Sequence, residues 1–168
     1  MVCKNGQLQD EIVYEKGNPA AAADAPTRDF RLIYFLDTNA CIALINGKPA
    51  LVRTRFQKAI DGGAQVSVSA VVAFELWYGV AKSQQREGNA GRLETFFAGP
   101  IRLAPFEEED AQMTGEIRAE IEAAGRPIGA YDLLIAGQAL RHKATLVTAN
   151  GKEFGRVKGL VWEDWAKS

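Results

Sequence analysis

Apolar and polar positions follow one another along this chain with a period that changes from segment to segment. From Leu32 to Leu36 five apolar or aromatic residues run without a polar break, the pattern of a strand buried on both faces, as in a parallel sheet. The chain turns polar at once at Asp37, Thr38 and Asn39. Asn39 to Ile45 reads as a short helix closed by Asn46 and Gly47, and Pro49 opens a second helix that runs to Ile60 and ends at Asp61, Gly62 and Gly63. Gln65 to Ser69 alternates as a short strand and leads into a helix from Ala70 to Lys82, with Val72, Leu76, Gly79 and Val80 as its core stripe.

The second half repeats the theme. A helix is expected from Asn89 to Phe97, then Gly99 and Pro100, then a short strand from Ile101 to Ala104. Glu107, Glu108, Glu109 and Asp110 open a long helix that Gly125, Arg126 and Pro127 stop after Ala124. Four acids in a first turn are most simply a favourable arrangement with the helix dipole, not a metal site. The next helix carries Ile135, Ala136, Ala139 and Leu140 on one stripe and ends near His142, the single histidine, which also suits the dipole better than acid–base work. Ala144 to Val147 reads as a second buried strand, Lys152 to Phe154 as a helical turn, Gly159 to Trp162 as a last strand, and Trp165 as a terminal anchor. Strands alternating with helices give an α/β domain over residues 31–168.

Residues 1–30 break the pattern. Gly17, Asn18 and Pro19, four alanines, Asp24 and Pro26 leave too little apolar surface to offset the entropy of ordering, so this stretch is expected to be a flexible N-terminal extension without chemistry. At 168 residues, 47% hydrophobic and 24% charged, the chain has room for one domain and its core. A net charge of -1 provides no overall basic field, so any binding of nucleic acid must use local patches. Two cysteines, Cys3 and Cys41, make no disulfide framework, and neither a secretory segment nor a long apolar span is present. The cytoplasm is the expected location, with no membrane attachment.

Candidate chemistry gathers where strands end. Asp37 stands at the carboxyl end of a buried strand, where open α/β sheets place their ligand crevice, although an Asp at such a turn also suits a helix cap. Glu75 lies three to four residues from Val71, Val72 and Gly79, so its carboxylate borders the apolar face of its helix. Asp132 occupies the first turn of an otherwise apolar stripe, a costly place unless something binds it. Asn150 follows the strand that ends at Val147 and would lie near Asp37 if the two strands are neighbours, although Asn150 with Gly151 also suits a plain turn. Glu120, on the long helix, is a weaker candidate for an accessory acid.

The segments Leu36 to Asn39, Ala70 to Gly79, Pro127 to Ala136 and Leu146 to Phe154, in this order, resemble the VapC-type ribonuclease toxins of the PIN-domain superfamily. The resemblance covers Leu32 to Trp165. It implies a three-layer α/β/α PIN-like fold with a central, mainly parallel sheet. It further implies magnesium- or manganese-dependent endoribonuclease activity, with structured RNA such as transfer RNA as the frequent target of the family. A homodimer is implied as well, along with inhibition by a cognate VapB-like antitoxin that blocks the site with a segment often carrying Arg. Carried over to this chain, the acidic site is Asp37, Glu75 and Asp132, with Asn150 where many members have a fourth Asp. Asp37 and Asp132 are the expected metal ligands, and Thr38, Asn39 and Thr148 are expected to orient a carboxylate or water behind them.

Physical chemistry supports this reading separately. Carboxylates brought together from distant segments raise one another's pKa unless a hard cation neutralises them, and magnesium, with its preference for oxygen ligands and retained waters, suits such a site. It can activate a water for attack on a phosphodiester. No Ser-His or Cys-His pairing offers another nucleophile. A phosphatase with an aspartyl nucleophile would need an acid where Asn39 stands. A non-catalytic PIN-like module docking a basic partner protein is the other reading, favoured by the neutral Asn150; magnesium binding separates the two.

Overall fold

A computed structural model describes residues 32–167; the extension expected over residues 1–30 lies outside the described residues. Five strands, β1 (Ile33–Leu36), β2 (Gln65–Ser69), β3 (Arg102–Ala104), β4 (Thr145–Val147) and β5 (Trp162–Glu163), form one sheet in the order β3-β2-β1-β4-β5. Every pairing is parallel: Leu36 lies opposite Val68 on one side and Val147 on the other. Helices α1 (Thr38–Asn46), α2 (Ala50–Asp61), α3 (Ala70–Lys82) and α4 (Arg86–Phe97) occupy the crossovers from β1 to β3, and α5 (Glu108–Ala123), α6 (Ala130–Arg141) and α7 (Gly151–Phe154) those from β3 to β5. Right-handed crossovers place the first group on one face. Strand order reverses after β3, so the second group falls on the other. This is the expected three-layer α/β/α arrangement. No helix among the described residues is long and apolar enough to cross a membrane.

Being central explains the unbroken apolar run of β1. Phe35 and Leu36 are fully buried together with Val68, Leu146 and Val147 from the flanking strands. The reversal of strand order also puts a topological switch point between β1 and β4, where parallel sheets open a crevice at their carboxyl ends.

Several elements depart from their expected form. Helix α4 begins at Arg86, a turn before Asn89, because Arg86, Glu87 and Gly88 carry no apolar periodicity and are invisible to it. Strand β5 is only Trp162 and Glu163, since Gly159 turns the chain at φ +81° before pairing can start. Gly79, expected in the core stripe of α3, is exposed, and Ala73 is buried instead. Glu108 and Glu109 stand exposed in the first turn of α5, but Asp110 is wholly buried.

Helices α5 and α6 approach so closely that a Cβ added to Gly137 would lie 2.1 Å from Thr114 Oγ1 and 2.9 Å from its Cα. Thr114 Oγ1 is itself engaged, donating to the Asp110 carbonyl at 2.7 Å. Gly137→Ala therefore forces the helices apart and is expected to cost about 2–3 kcal/mol by overpacking. Urea unfolding checks it: the midpoint falls and the slope stays constant.

Candidate active site

Asp37 is the residue at which β1 becomes α1. Its backbone N–H donates to the Val147 carbonyl at 3.0 Å, which ties it to the end of β4. Its side chain caps α1, Oδ1 accepting the Ala40 N–H at 2.7 Å, while Oδ2 accepts Thr148 Oγ1 at 2.5 Å. Only 4% of Asp37 is exposed, and burial pushes its carboxyl pKa up. The donors from Thr148, Ala40 and Asn39 draw it partly back, and repulsion from Glu75 adds to the rise. Capping and facing the crevice are thus compatible, because each carboxylate oxygen accepts more than one partner. Asn39 contributes its backbone, and its side chain is exposed on α1.

Glu75 comes from the middle of α3, half-buried, and its Oε2 accepts a short hydrogen bond from Thr38 Oγ1 in the first turn of α1. Thr38 and Thr148 therefore each hold one carboxylate from behind. Asp132 sits in the first turn of α6, whose cap residue, Gly129, has no side chain to occupy the helix start. It is held up to about 7, first by burial, next by a hydrogen-bonded Glu153, and then by repulsion from Glu75 and Asp37. The same hydrogen bond acts on the two carboxyls in opposite directions, and Glu153 is held below its usual value. Asn150 precedes α7, accepts no cap bond, and turns its side chain toward Glu153; its N–H donates to Thr148 Oγ1 at 2.9 Å.

The fold thus draws Asp37, Glu75, Asp132 and Asn150, from four separate segments, to the switch point, and adds an acid that sequence reasoning took for part of an ordinary helical turn. Glu153 lies three residues beyond Asn150, one helical turn on, and its Oε2 meets the Gly129 N–H at 3.5 Å. An acid one turn after a polar strand end was the available signal. Glu120 is not brought in: it is exposed and lines a separate cleft with Arg126, Arg156 and Lys158. His142 caps the far end of α6 near Asp110 and Arg141.

Three carboxyl groups that repel one another, Asp37, Glu75 and Asp132, with Glu153 hydrogen-bonded to the last, form the donor set that a hard divalent cation relieves. Among the described residues no three of His, Cys, Asp and Glu close into a metal cage. Magnesium does not require one, since it is ordinarily held by one or two carboxylates and keeps several waters. The donor set fits that ion.

The family model of the PIN domain matches residues 34–160. The tRNA(fMet)-specific endonuclease VapC of Shigella flexneri is 43% identical over 135 residues, which span 80% of this chain and 99% of that protein. Ribonuclease VapC2 of Rickettsia felis is 38% identical over 136 residues, 81% of this chain and all of that one. Among solved structures, the VapBC2 complex of Rickettsia felis bound to a DNA fragment from its promoter superposes with a TM-score of 0.75 at 37% identity, covering 80% of this chain and 99% of the other. VapBC-1 from nontypeable Haemophilus influenzae gives a TM-score of 0.73 at 32% identity, over 81% of this chain and all of that one.

Proposed function

This chain belongs to the PIN-domain family, among its VapC-type ribonucleases, and on that premise we propose that it is a magnesium-dependent endoribonuclease, the toxin of a toxin–antitoxin pair, acting on transfer RNA in the cytoplasm to stop translation. The PIN domain is taken as residues 31–168, preceded by an extension. The observation that carries the reading is the meeting of Asp37, Glu75, Asp132 and Glu153 at the switch point between β1 and β4.

In this reading Asp37 and Asp132 hold the ion. Magnesium, when bound, neutralises charge developing on the phosphodiester and makes a nearby water more acidic. Thr148 and the α1 backbone fix the Asp37 carboxylate, and Thr38 fixes that of Glu75, which leaves Glu75 oriented toward the crevice as the group that takes a proton from the attacking water. Asn150 steadies Glu153. Incubation of total cellular RNA with the purified protein tests this: defined ends should appear with magnesium or manganese, and undiminished cutting in EDTA would exclude the metal mechanism.

The proton on Asp132 supplies a further expectation. Its folded pKa is raised, to about 7, so the stability it contributes is present below its unfolded pKa and lost as pH rises through 7; the raised Asp37 works in the same direction. Metal-free protein should therefore melt at progressively lower temperature from pH 5 to pH 8. Magnesium should restore the loss above pH 7 and do little at pH 5, where it must displace the proton. A melting temperature with the same magnesium response at both ends would remove Asp132 from the ion. A module that only docks a basic protein would show no such response at all.

For the partner, an apolar groove of 230 Å³ between α1, α3 and α4 is lined by Ile42, Ile45, Leu76, Val80 and Leu93 and includes Thr38 and Glu75 in its wall. It suits an apolar segment of a VapB-like antitoxin that ends in an Arg reaching the acids, where a guanidinium fork matches carboxylate geometry. Phe74 and Tyr78 stack on the exposed side of α3, with Trp77 exposed beside them, and this face is the proposed homodimer contact.

A further inference from the structure

Beside the acids lies a patch of opposite sign. The end of α5, the loop to α6 and the loop after α7 enclose a cleft of 140 Å³ lined by Glu120, Ile121, Ala124, Arg126, Arg156 and Lys158, so three cations face one carboxylate in a chain whose net charge is -1. Two backbone features hold it in shape. Gly125 takes φ +66° and turns the chain so that the Arg126 N–H donates to the Ile121 carbonyl at 3.1 Å, and Arg156 Nη1 donates to the Pro127 carbonyl at 2.9 Å, tying the two loops together. Among the described residues no carboxylate forms a salt bridge with any of the three cations, and the neighbouring acid Glu122 is engaged by Arg118 at 2.8 Å. Clustered like charges repel, so an anionic occupant is what the cleft lacks.

Its position says which anion. Arg156 follows Glu153 by one helical turn, its N–H donating to the Glu153 carbonyl at 3.0 Å, and Pro127, which it grips, is two residues before Gly129, whose N–H meets Glu153 Oε2 at 3.5 Å. The cleft is therefore tied to the loop that leads into α6, and the charge of Arg156 reaches Glu153 in the acidic site. An RNA strand crossing the acids meets repulsion there, and cations placed just beyond can hold the neighbouring phosphates. We propose that Arg126, Arg156 and Lys158 form the phosphate track that carries the RNA strand past the acidic site, an assignment that rests on the endoribonuclease reading. Arg156, held at Pro127 through Nη1, keeps further guanidinium donors for a phosphate, and Arg126 and Lys158 add charge to the same cleft. Glu120 is the one group in the cleft that opposes a phosphate.

The test uses the full chain, bulk transfer RNA as substrate and a labelled transfer RNA for binding, the latter in the Asp132→Asn background. The double variant Arg126→Ala, Lys158→Ala should raise KM and Kd about tenfold with kcat within about twofold, and should flatten the slope of log affinity against log salt by about 1.4 units, roughly 0.7 for each lost phosphate contact. Glu120→Gln should tighten RNA binding, a gain that a merely structural cleft would not give. Unchanged KM and salt slope would overturn the track. So would a fall in kcat at constant KM, or unchanged RNA affinity with weakened binding of the VapB-like partner. Should the wild-type chain itself neither bind nor cut RNA, the endoribonuclease reading falls with it; wild-type cutting with an unaffected double variant removes the track alone.

Discussion

Asp37→Asn and Asp132→Asn should each abolish RNA cleavage and leave the metal-free fold as stable as before, or more so. The activity loss is expected to exceed a hundredfold, because residues that merely orient a metal ligand already cost about 10- to 100-fold when removed. Thr148→Val, which takes away the donor to Asp37 Oδ2 and the acceptor of the Asn150 N–H but no carboxylate, should fall in that smaller range. Stability should move the other way for a physical reason. Asparagine caps a helix about as well as aspartate, so Ala40 keeps its acceptor. At the same time a buried charge disappears from Asp37, and the repulsion it exchanges with Glu75 goes with it. At Asp132 the neutral amide relieves the crowding by Glu153, Glu75 and Asp37 above pH 7. Single-turnover cleavage with thermal melts of the same samples decides the matter: inactive variants that melt much lower than the parent would make these acids structural supports. Stabilising substitutions that destroy function are what a strained site should yield.

The largest stability effect is expected far from that site. Arg141→Met should cost about 3 kcal/mol, roughly a 10 °C drop in melting temperature, by orphaning a buried carboxylate. Asp110 is completely buried at the start of α5; its Oδ2 accepts the Glu107 N–H at 2.8 Å and Gln138 Nε2 at 3.1 Å, and its Oδ1 accepts Arg141 Nε from the last turn of α6. Burial alone would raise the Asp110 pKa, but Arg141, the Glu107 N–H and the nearby His142 hold it below its usual value. The stability it contributes is thus present above the unfolded carboxylate pKa and lost as pH falls through the lower folded one. Without Arg141 the sign reverses, since the orphaned carboxyl takes up a proton more readily in the folded chain. The gap between parent and variant should therefore narrow as pH falls from 8 to 5. A second variant, Asp110→Leu with Arg141→Met, should recover most of the loss, because replacing both members of a buried pair by apolar groups is often nearly neutral. Equal melting curves for all three proteins would show the pair to be idle.

What was legible in the sequence was whatever repeats locally. The apolar run of β1 announced a central strand, and the polar turn after it put Asp37 at the sheet's carboxyl edge. The interrupted stripe of α6 marked Asp132 in the same way. Pairing across elements left no local trace. That β4 lies directly beside β1 follows only from the reversal of strand order, so Asn150 could be placed near Asp37 only on the condition that the strands are neighbours. Glu153 escaped because α7 has four residues, too few for any periodicity to separate a buried face from a working one. Asp110 escaped because one acid among four in a first turn looks like its neighbours, and its burial depends on Gln138 and Arg141 28 and 31 residues away.

The hydrogen bond between Asp37 and Thr148 joins residues 111 apart in the chain. During synthesis Asp37 and Glu75 emerge early, with β1, β2 and α3, whereas Thr148 and Glu153 come close to the end of the domain. A nascent chain that has not yet released β4 has β1 as an edge strand and nothing to seat the Asp37 carboxylate on its far side. For a protein read as a nuclease made on the ribosome, this order of emergence works as a delay: the cutting centre closes only after nearly all of the domain has been made.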